Sequence, residues 1–165
     1  MDVLVKQATE ADIPVIERIL AEAVARMDAM GQHQWEYKNV RWEALAHFYN
    51  TPANFYIAYA NDEPAACMAL VDHDPAIWQG IPAGESLYIH KLAVRPAFAG
   101  QGLSRVLVDF AKDMAQKRGI TTLRLDTHRD RPKVRAVYEK QGFVCVEETI
   151  LFGKYATALY VCTLA

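Results

Sequence analysis

The sequence predicts an α+β fold around a single mixed sheet flanked by helices, and three observations predict it. Apolar residues recur with period 2 in short runs and period 3.6 in longer ones, so strands and helices are interleaved along the chain. Two pairs of strand-like runs flank short turns, at Asn61-Asp62-Glu63-Pro64 and around Gly153, as antiparallel hairpins do. Between the hairpins, two further strand-like runs each lead into a helical pattern. The chain has 165 residues, 52% of them apolar and 23% charged, so residues 1–165 are expected to form a single soluble domain with a substantial core.

The elements follow in order. Val3 to Ala8 alternates as a first strand. Thr9 is placed to cap a helix, with Asp12 three residues on and Pro14 in the first turn. Ile13, Ile16, Leu20, Ala23, Val24 and Met27 then trace one helical face, and Gly31 ends it. A second helix from about Val40 buries Trp42, Leu45, Ala46 and Tyr49 and stops before Pro52. Phe55–Ala60 and Ala65–Val71 form the first hairpin. The loop from His73 to Gly84 holds Trp78 and the breakers Pro75, Gly80 and Pro82; its length suits a functional role better than a mere connection. Ser86–Val94 reads as the fourth strand and Thr121–Thr127 as the fifth. Pro132 starts a helix that ends at Gln141-Gly142. Phe143–Leu151 and Tyr155–Thr163 close the chain as two antiparallel strands.

Composition excludes several classes. No apolar run approaches a membrane span of about eighteen residues, and no signal peptide is visible, so no membrane partner is expected. Cys67, Cys145 and Cys162 are widely spaced in apolar, strand-like sequence and read as reduced core thiols of a cytoplasmic protein. No Cys/His cluster has metal-ligand spacing, so no metal is expected. A net charge of −2 argues against nucleic acid. The charge is unevenly distributed: residues 1–90 hold 5 Lys/Arg against 13 Asp/Glu, a formal −8, and residues 91–165 hold 13 against 7, a formal +6. A polyanionic ligand would be drawn to the second half and a cationic one to the first.

The stretch from Leu92 to Arg118 is a strand, a glycine loop and a helix. Arg95-Pro96 breaks the strand, because proline has no N–H for the ladder. Ala97 to Gly102 is a small-residue loop, and Leu103, Val106, Leu107, Phe110, Ala111 and Met114 then mark a buried helical face. Backbone N–H groups at such a helix start can hold a phosphate or pyrophosphate, although a glycine pair before a helix is often only a tight turn. The loop lacks the G-x-G-x-x-G spacing of a dinucleotide fold and the G-K-[ST] of a nucleotide P-loop.

This stretch resembles the acetyl-CoA-binding motif of the GNAT superfamily of N-acetyltransferases, whose loop reads Arg/Gln-x-x-Gly-x-Gly/Ala. The matching residues are Ala99, Gly102 and Ser104, of which Gly102 matches strictly. A second segment, Leu123 to Phe143, is similar to the family's fifth strand and following helix, with the ending Tyr-Glu-Lys-x-Gly-Phe. The resemblance implies a GNAT fold, its mostly antiparallel sheet splayed between strands 4 and 5. It also implies acetyl-CoA as cofactor and direct attack of an amine within a ternary complex.

Site residues follow from the same resemblance. It implies that Ala99, Gly100, Gln101, Gly102, Leu103 and Ser104 bind the cofactor, and that backbone N–H groups of Leu92, Ala93 and Val94 hold the thioester carbonyl. Arg131 stands where the family often has an asparagine that contacts the CoA arm. Tyr138 matches the tyrosine near the CoA sulfur, and a phenol can donate a proton to the leaving thiolate; a core aromatic on a helix face is the other reading.

Strand alternation puts Tyr88, His90 and Leu92 on one face, where His90 alone titrates near neutrality. His90 is therefore the candidate general base, against a packed or surface histidine or a water chain. Glu85, Asp126 and His128 are weaker candidates. His33, Gln34, Trp35 and Trp78 lie where the family shapes acceptor specificity, and Asp126 and His128 where its sheet splays. The expected acceptor is a small cationic amine, and the protein a monomer or homodimer. Two other activities fit the same residues: acetylation of a protein lysine or N-terminus, and a non-catalytic acyl-CoA-binding sensor.

Overall fold

The structure is a computed structural model that describes residues 1–33 and 35–165. Among the described residues it contains seven strands in the order β1-β2-β3-β4-β5-β7-β6 and four α-helices. The chain divides into two compact units, Met1–Leu70 with Lys91–Leu107, and Val71–His90 with Val108–Ala165.

In the first unit, β1 (Val3–Gln7) pairs antiparallel with β2 (Phe55–Ala60), which pairs antiparallel with β3 (Glu63–Val71). The turn between β2 and β3 puts Asn61 and Asp62 at φ +49° and +67°, the left-handed pair that a two-residue hairpin turn requires. The second strand therefore starts at Glu63, two residues before the expected Ala65. After β1, the Asp12 carboxylate accepts the Thr9 backbone N–H at 2.8 Å and its hydroxyl at 3.2 Å, which fixes the entry to α1 (Ile13–Ala29).

Of the face that the sequence marks on α1, Ile16, Leu20, Val24 and Met27 are buried, Ile13 and Ala23 are half-buried, and Ile19 joins the buried set. Helix α2 (Trp42–Tyr49) begins under Glu17 of α1, whose carboxylate accepts the Trp42 N–H at 2.8 Å, an anion where a helix N-terminus favours one. Trp42 and Tyr49 both meet Phe55 edge-on, at ring centroids of 6.1 and 5.2 Å, so α2 is keyed to the start of β2 by aromatic contacts.

The second unit carries a meander. β5 (Thr122–His128) pairs antiparallel with β7 (Tyr155–Thr163), which pairs antiparallel with β6 (Val144–Leu151). β4 (Leu87–Val94) meets β5 in parallel only at Leu87↔Leu123 and Tyr88↔Arg124. Beyond Tyr88 the ladder stops while β5 runs on against β7, which is the expected splay. Helix α4 (Pro132–Lys140) has its last turn closed by Lys112 of α3 (Leu103–Lys117), whose Nζ donates to the Gln141 carbonyl at 2.6 Å. Arg135 of α4 donates to the Tyr160 hydroxyl of β7 at 2.7 Å, and that hydroxyl donates to Glu139 at 2.7 Å.

Three expectations need correction. The buried stripe of α3 is Leu103, Leu107, Val108, Ala111 and Ala115; Val106, Phe110 and Met114 flank it half-buried. A helix of this amphipathicity has a broad apolar face, and its centre lies one residue round from the stripe that spacing alone selects. Cys145 lies half-buried on β6 rather than in the core, while Cys67 and Cys162 are buried free thiols. Finally, β4 is not a regular strand. Lys91 has φ +51°, so the alternation that holds for Tyr88 and His90 does not carry through to Leu92.

Candidate active site

The glycine loop begins where β4 ends. Arg95 is the anchor: its side chain is 7% exposed, its Nε donates to Glu22 at 3.1 Å and its Nη1 to the Pro64 carbonyl at 2.8 Å. The Arg95 backbone N–H donates to Ala65 O at 2.8 Å. A short 3-10 turn, Pro96–Phe98, brings the chain to Ala99 in extended conformation. Gly100 and Gly102 both have φ +78°, and no protein atom lies within 4 Å of where a Cβ would stand on either. Gln101, Gly102 and Ser104 line this turn with open or half-open surface, and Leu103 is buried as the first residue of α3. The first-turn N–H groups of an α-helix have no helical acceptor, so this open turn presents donors beside space with no side chain in it. That is the shape a pyrophosphate fits.

Upstream, Ala93 is buried and Leu92 and Val94 are half-buried. The left-handed Lys91 just before them departs from regular strand conformation, and its ammonium rests 4.9 Å from the Trp35 ring centroid. His33, two residues earlier, pairs with Asp28 and Glu36, and those carboxylates, Asp28 first, hold its imidazole above the ordinary 6.5. Gln34 lies outside the described residues.

The second unit assembles the titratable groups. Tyr88 and Arg124 are register partners across the short parallel ladder, so His90 and Asp126 stand two residues on, on the same face of their strands. His90 Nε2 lies 2.8 Å from the Oδ2 of Asp74, a residue 7% exposed in the loop before β4. One ligand atom each from Asp74, His90 and Asp126 lie within 4.8 Å of one another. The loop is fixed from below. The Trp78 N–H closes a turn onto Asp74 O at 2.8 Å, and the Gly84 N–H returns to Asp72 O at 3.0 Å. Trp78 is buried with Tyr88 and Leu159, under the Arg124 guanidinium at 4.9 Å, and Arg124 Nε donates to Ser86 at 2.9 Å.

Tyr138 on α4 is half-buried. Burial pushes its hydroxyl up to about 12; the charge of Asp126 adds to the shift and the Arg131 cation opposes it. Arg131 precedes α4, and burial lowers its guanidinium from its usual value. His128 closes β5, with Nδ1 accepting the Asp130 N–H at 3.0 Å. Glu85 lies in the loop before β4, outside this cluster.

So the second unit brings together His90, Asp126 and, through its charge on Tyr138, the tyrosine. It adds Asp74, which sequence reasoning missed. The only local signal was an acid before Pro75 in a long loop, and nothing in a linear sequence shows that Asp74 meets a histidine sixteen residues later.

A model of the acetyltransferase (GNAT) family matches residues 19–143, and the chain belongs to that family of acyltransferase enzymes. A mycothiol acetyltransferase of Beutenbergia cavernae is 32% identical over 78 residues, 47% of this chain; the match covers 26% of that relative's length. The crystal structure of the ribosomal-protein-S18-alanine N-acetyltransferase from Escherichia coli superposes with a TM-score of 0.73 at 20% identity, over 99% of this chain and 95% of that one. The PaiA N-acetyltransferase from Thermoplasma acidophilum, in complex with coenzyme A, gives 0.73 at 18% identity over 99% of each chain. At these identities the two structures speak for the fold.

Proposed function

We propose that this protein moves an acetyl group from acetyl-CoA to a primary amine, by direct attack in a ternary complex formed within one domain, residues 1–165. The observation that carries the reading is the open glycine turn at the start of α3, with Gly100 and Gly102 at φ +78° and no atom where a Cβ would stand. Family membership and the coenzyme A in the PaiA structure support it. Acetyl-CoA supplies the activated acetyl group as a thioester.

The residues of this chain do the rest. Ala99, Gly100, Gln101, Gly102, Leu103 and Ser104 hold the pyrophosphate through backbone N–H groups, and Arg131 supplies a cation to the cofactor arm. Backbone N–H groups of Leu92, Ala93 and Val94, turned by the kink at Lys91, donate to the developing oxyanion. His90 takes the proton from the amine. Tyr138, with a hydroxyl near 12, holds its proton too tightly to give it up outright to a thiolate of ordinary thiol range. Its role is to donate a hydrogen bond to the leaving sulfur. Trp35, Asp126 and His128 shape the acceptor side, and Trp78, buried with Tyr88 and Leu159, supports it from the core. The acceptor is a small cationic molecule. The free thiols fit a reducing compartment such as the cytoplasm, and no helix among the described residues is long and apolar enough to cross a membrane.

Calorimetry with CoA, followed by a thiol-release assay with acetyl-CoA and a panel of amines and Lys-containing peptides, tests this. CoA binding plus amine-dependent thiol release is the expected result. CoA binding with no release for any acceptor would leave a binding module, and the transfer reading would fall.

A further inference from the structure

We infer that His33 is a positioning residue: as an imidazolium it clasps Asp28 to Glu36 across the connector between α1 and α2, and so fixes Trp35. The inference rests on the acetyl-transfer reading above, which puts Trp35 on the acceptor side, and it makes acceptor binding depend on one proton.

The connector has two fixed ends. Helix α1 is closed at Gly31, φ +70°, where the Gln32 N–H returns to Met27 O at 2.8 Å. The chain then enters a 3-10 turn, Tyr37–Val40, capped by Glu36, whose carbonyl accepts the Asn39 N–H at 3.0 Å. Asp28 belongs to the first end and Glu36 to the second. His33 reaches both: its Nδ1 lies 2.5 Å from Asp28 Oδ1 and its Nε2 lies 2.9 Å from Glu36 Oε1. Asp28, His33, Trp35, Glu36 and Lys91 all belong to the first unit.

A carboxylate only accepts hydrogen bonds, and a neutral imidazole has a single N–H to give. Carboxylates on both ring nitrogens therefore call for the doubly protonated ring. In the neutral ring one nitrogen turns a lone pair towards a carboxylate, and that link is lost. Asp28 also lies in the last turn of α1, where the helix dipole disfavours an anion and favours a cation, and the imidazolium supplies the cation. Asp28 and Glu36 are the charged groups that face the ring among the described residues, and both raise its pKa above 6.5. The clasp is thus complete below 6.5 and is lost as pH rises through the higher value of the folded protein.

Trp35 lies between His33 and Glu36 in the chain, and the Lys91 ammonium rests 4.9 Å from its ring centroid. Lys91 is followed directly by Leu92, Ala93 and Val94, whose N–H groups the reading above assigns to the oxyanion. The closed clasp therefore holds the tryptophan ring against the residue that leads into that segment. Opening it frees the ring, at a cost to the acceptor and not to CoA.

The test has three readouts between pH 5.5 and 8.5. An NMR titration of the His33 ring, with its signal assigned by His33→Gln, should give a midpoint above 6.5 in the wild type. Asp28→Asn and Glu36→Gln should each bring that midpoint down. The fluorescence that Trp35 contributes, taken as wild type minus Trp35→Phe, should change with the same midpoint and stay flat in His33→Gln. Neither of these needs turnover. The third readout is KM for a primary amine in the CoA-release assay, as the ratio of His33→Gln to wild type, which cancels the titration of the amine itself.

His33 is half exposed, so the effect has the size of a surface ion pair. The KM ratio should be roughly two- to five-fold below the His33 midpoint and fall towards one above it. His33→Lys, a cation throughout this range, should keep KM low at every pH. CoA affinity by calorimetry should follow the same pH dependence in wild type and His33→Gln. A His33 midpoint at or below 6.5, or a Trp35 signal that is flat across it, would overturn the clasp. A KM ratio independent of pH, or a matching loss of CoA affinity, would overturn its part in acceptor binding. No CoA release with any amine would overturn the transfer reading and that part together, whereas normal release with a flat Trp35 signal would overturn the clasp alone.

Discussion

Gly102 and Tyr138 are the two side-chain positions on which the cofactor half of the account depends. At φ +78° a β-branched residue is strained whatever its surroundings, and at Gly102 the space for a Cβ is empty of protein. Gly102→Val should therefore cost about 1–2 kcal/mol of stability through its backbone and weaken CoA binding by much more than that loss explains. Calorimetry on protein shown to be folded checks it, and unchanged CoA affinity would remove the loop from the binding site. Tyr138→Phe keeps the ring against Phe143, at a centroid distance of 6.0 Å, and deletes only the hydroxyl. It should lower kcat by roughly 10-fold or more and leave CoA affinity near wild type, because the lost hydrogen bond matters only once charge builds on sulfur. A full kcat with a good acceptor would make Tyr138 structural.

At the scale of elements, the chain fastens the loop that matters with buried charge. Arg95 ties the end of β4 to Glu22 of α1 and to the carbonyl of Pro64 in β3. Arg95→Met removes charge-assisted hydrogen bonds worth about 1.5–3 kcal/mol each, offset because Glu22 is half-exposed and rehydrates. A net loss of about 2–3 kcal/mol in urea unfolding is expected, and a loss near zero would show that the network is dispensable. Most elements of this kind were legible from apolar period and breakers: α1, α3 and the two hairpins lie within a few residues of expectation. What was not legible has a physical cause. The left-handed Lys91 is a lysine in an ordinary-looking strand, and a positive φ at a non-glycine residue leaves no mark in local composition. Trp78 was marked as an acceptor-pocket residue, and the structure buries it with Tyr88 and Leu159; the same tryptophan can line a wall or anchor a core, and only the packing tells them apart. Asp74 reaches His90 across a loop, and loop geometry is the part of a fold that periodicity says least about.

At the scale of the whole molecule, two properties follow from charge. The first is stability against pH. Burial pushes the Tyr138 hydroxyl up to about 12 from the ordinary 10, so the native state keeps a proton that the unfolded chain loses first. Its contribution is complete below about pH 10 and is lost as pH rises towards 12, at up to about 1.4 kcal/mol per pH unit. Urea melts at pH 9 and pH 11 should show this fall in the wild type and a smaller one in Tyr138→Phe; equal falls would mean that the buried hydroxyl is not the cause. The second property is the division of charge, −8 over residues 1–90 and +6 over residues 91–165, which suits a cationic acceptor and a polyanionic cofactor. The most direct measurement of the central claim is CoA release from acetyl-CoA, as kcat/KM, across cationic, neutral and carboxylate-bearing amines at two salt concentrations. The account predicts that a cationic primary amine is the best substrate and that its kcat/KM falls as salt rises, since fields over exposed charge are screened within about 8–10 Å at physiological ionic strength. A best substrate carrying a carboxylate, or no amine-dependent release at all, would contradict it.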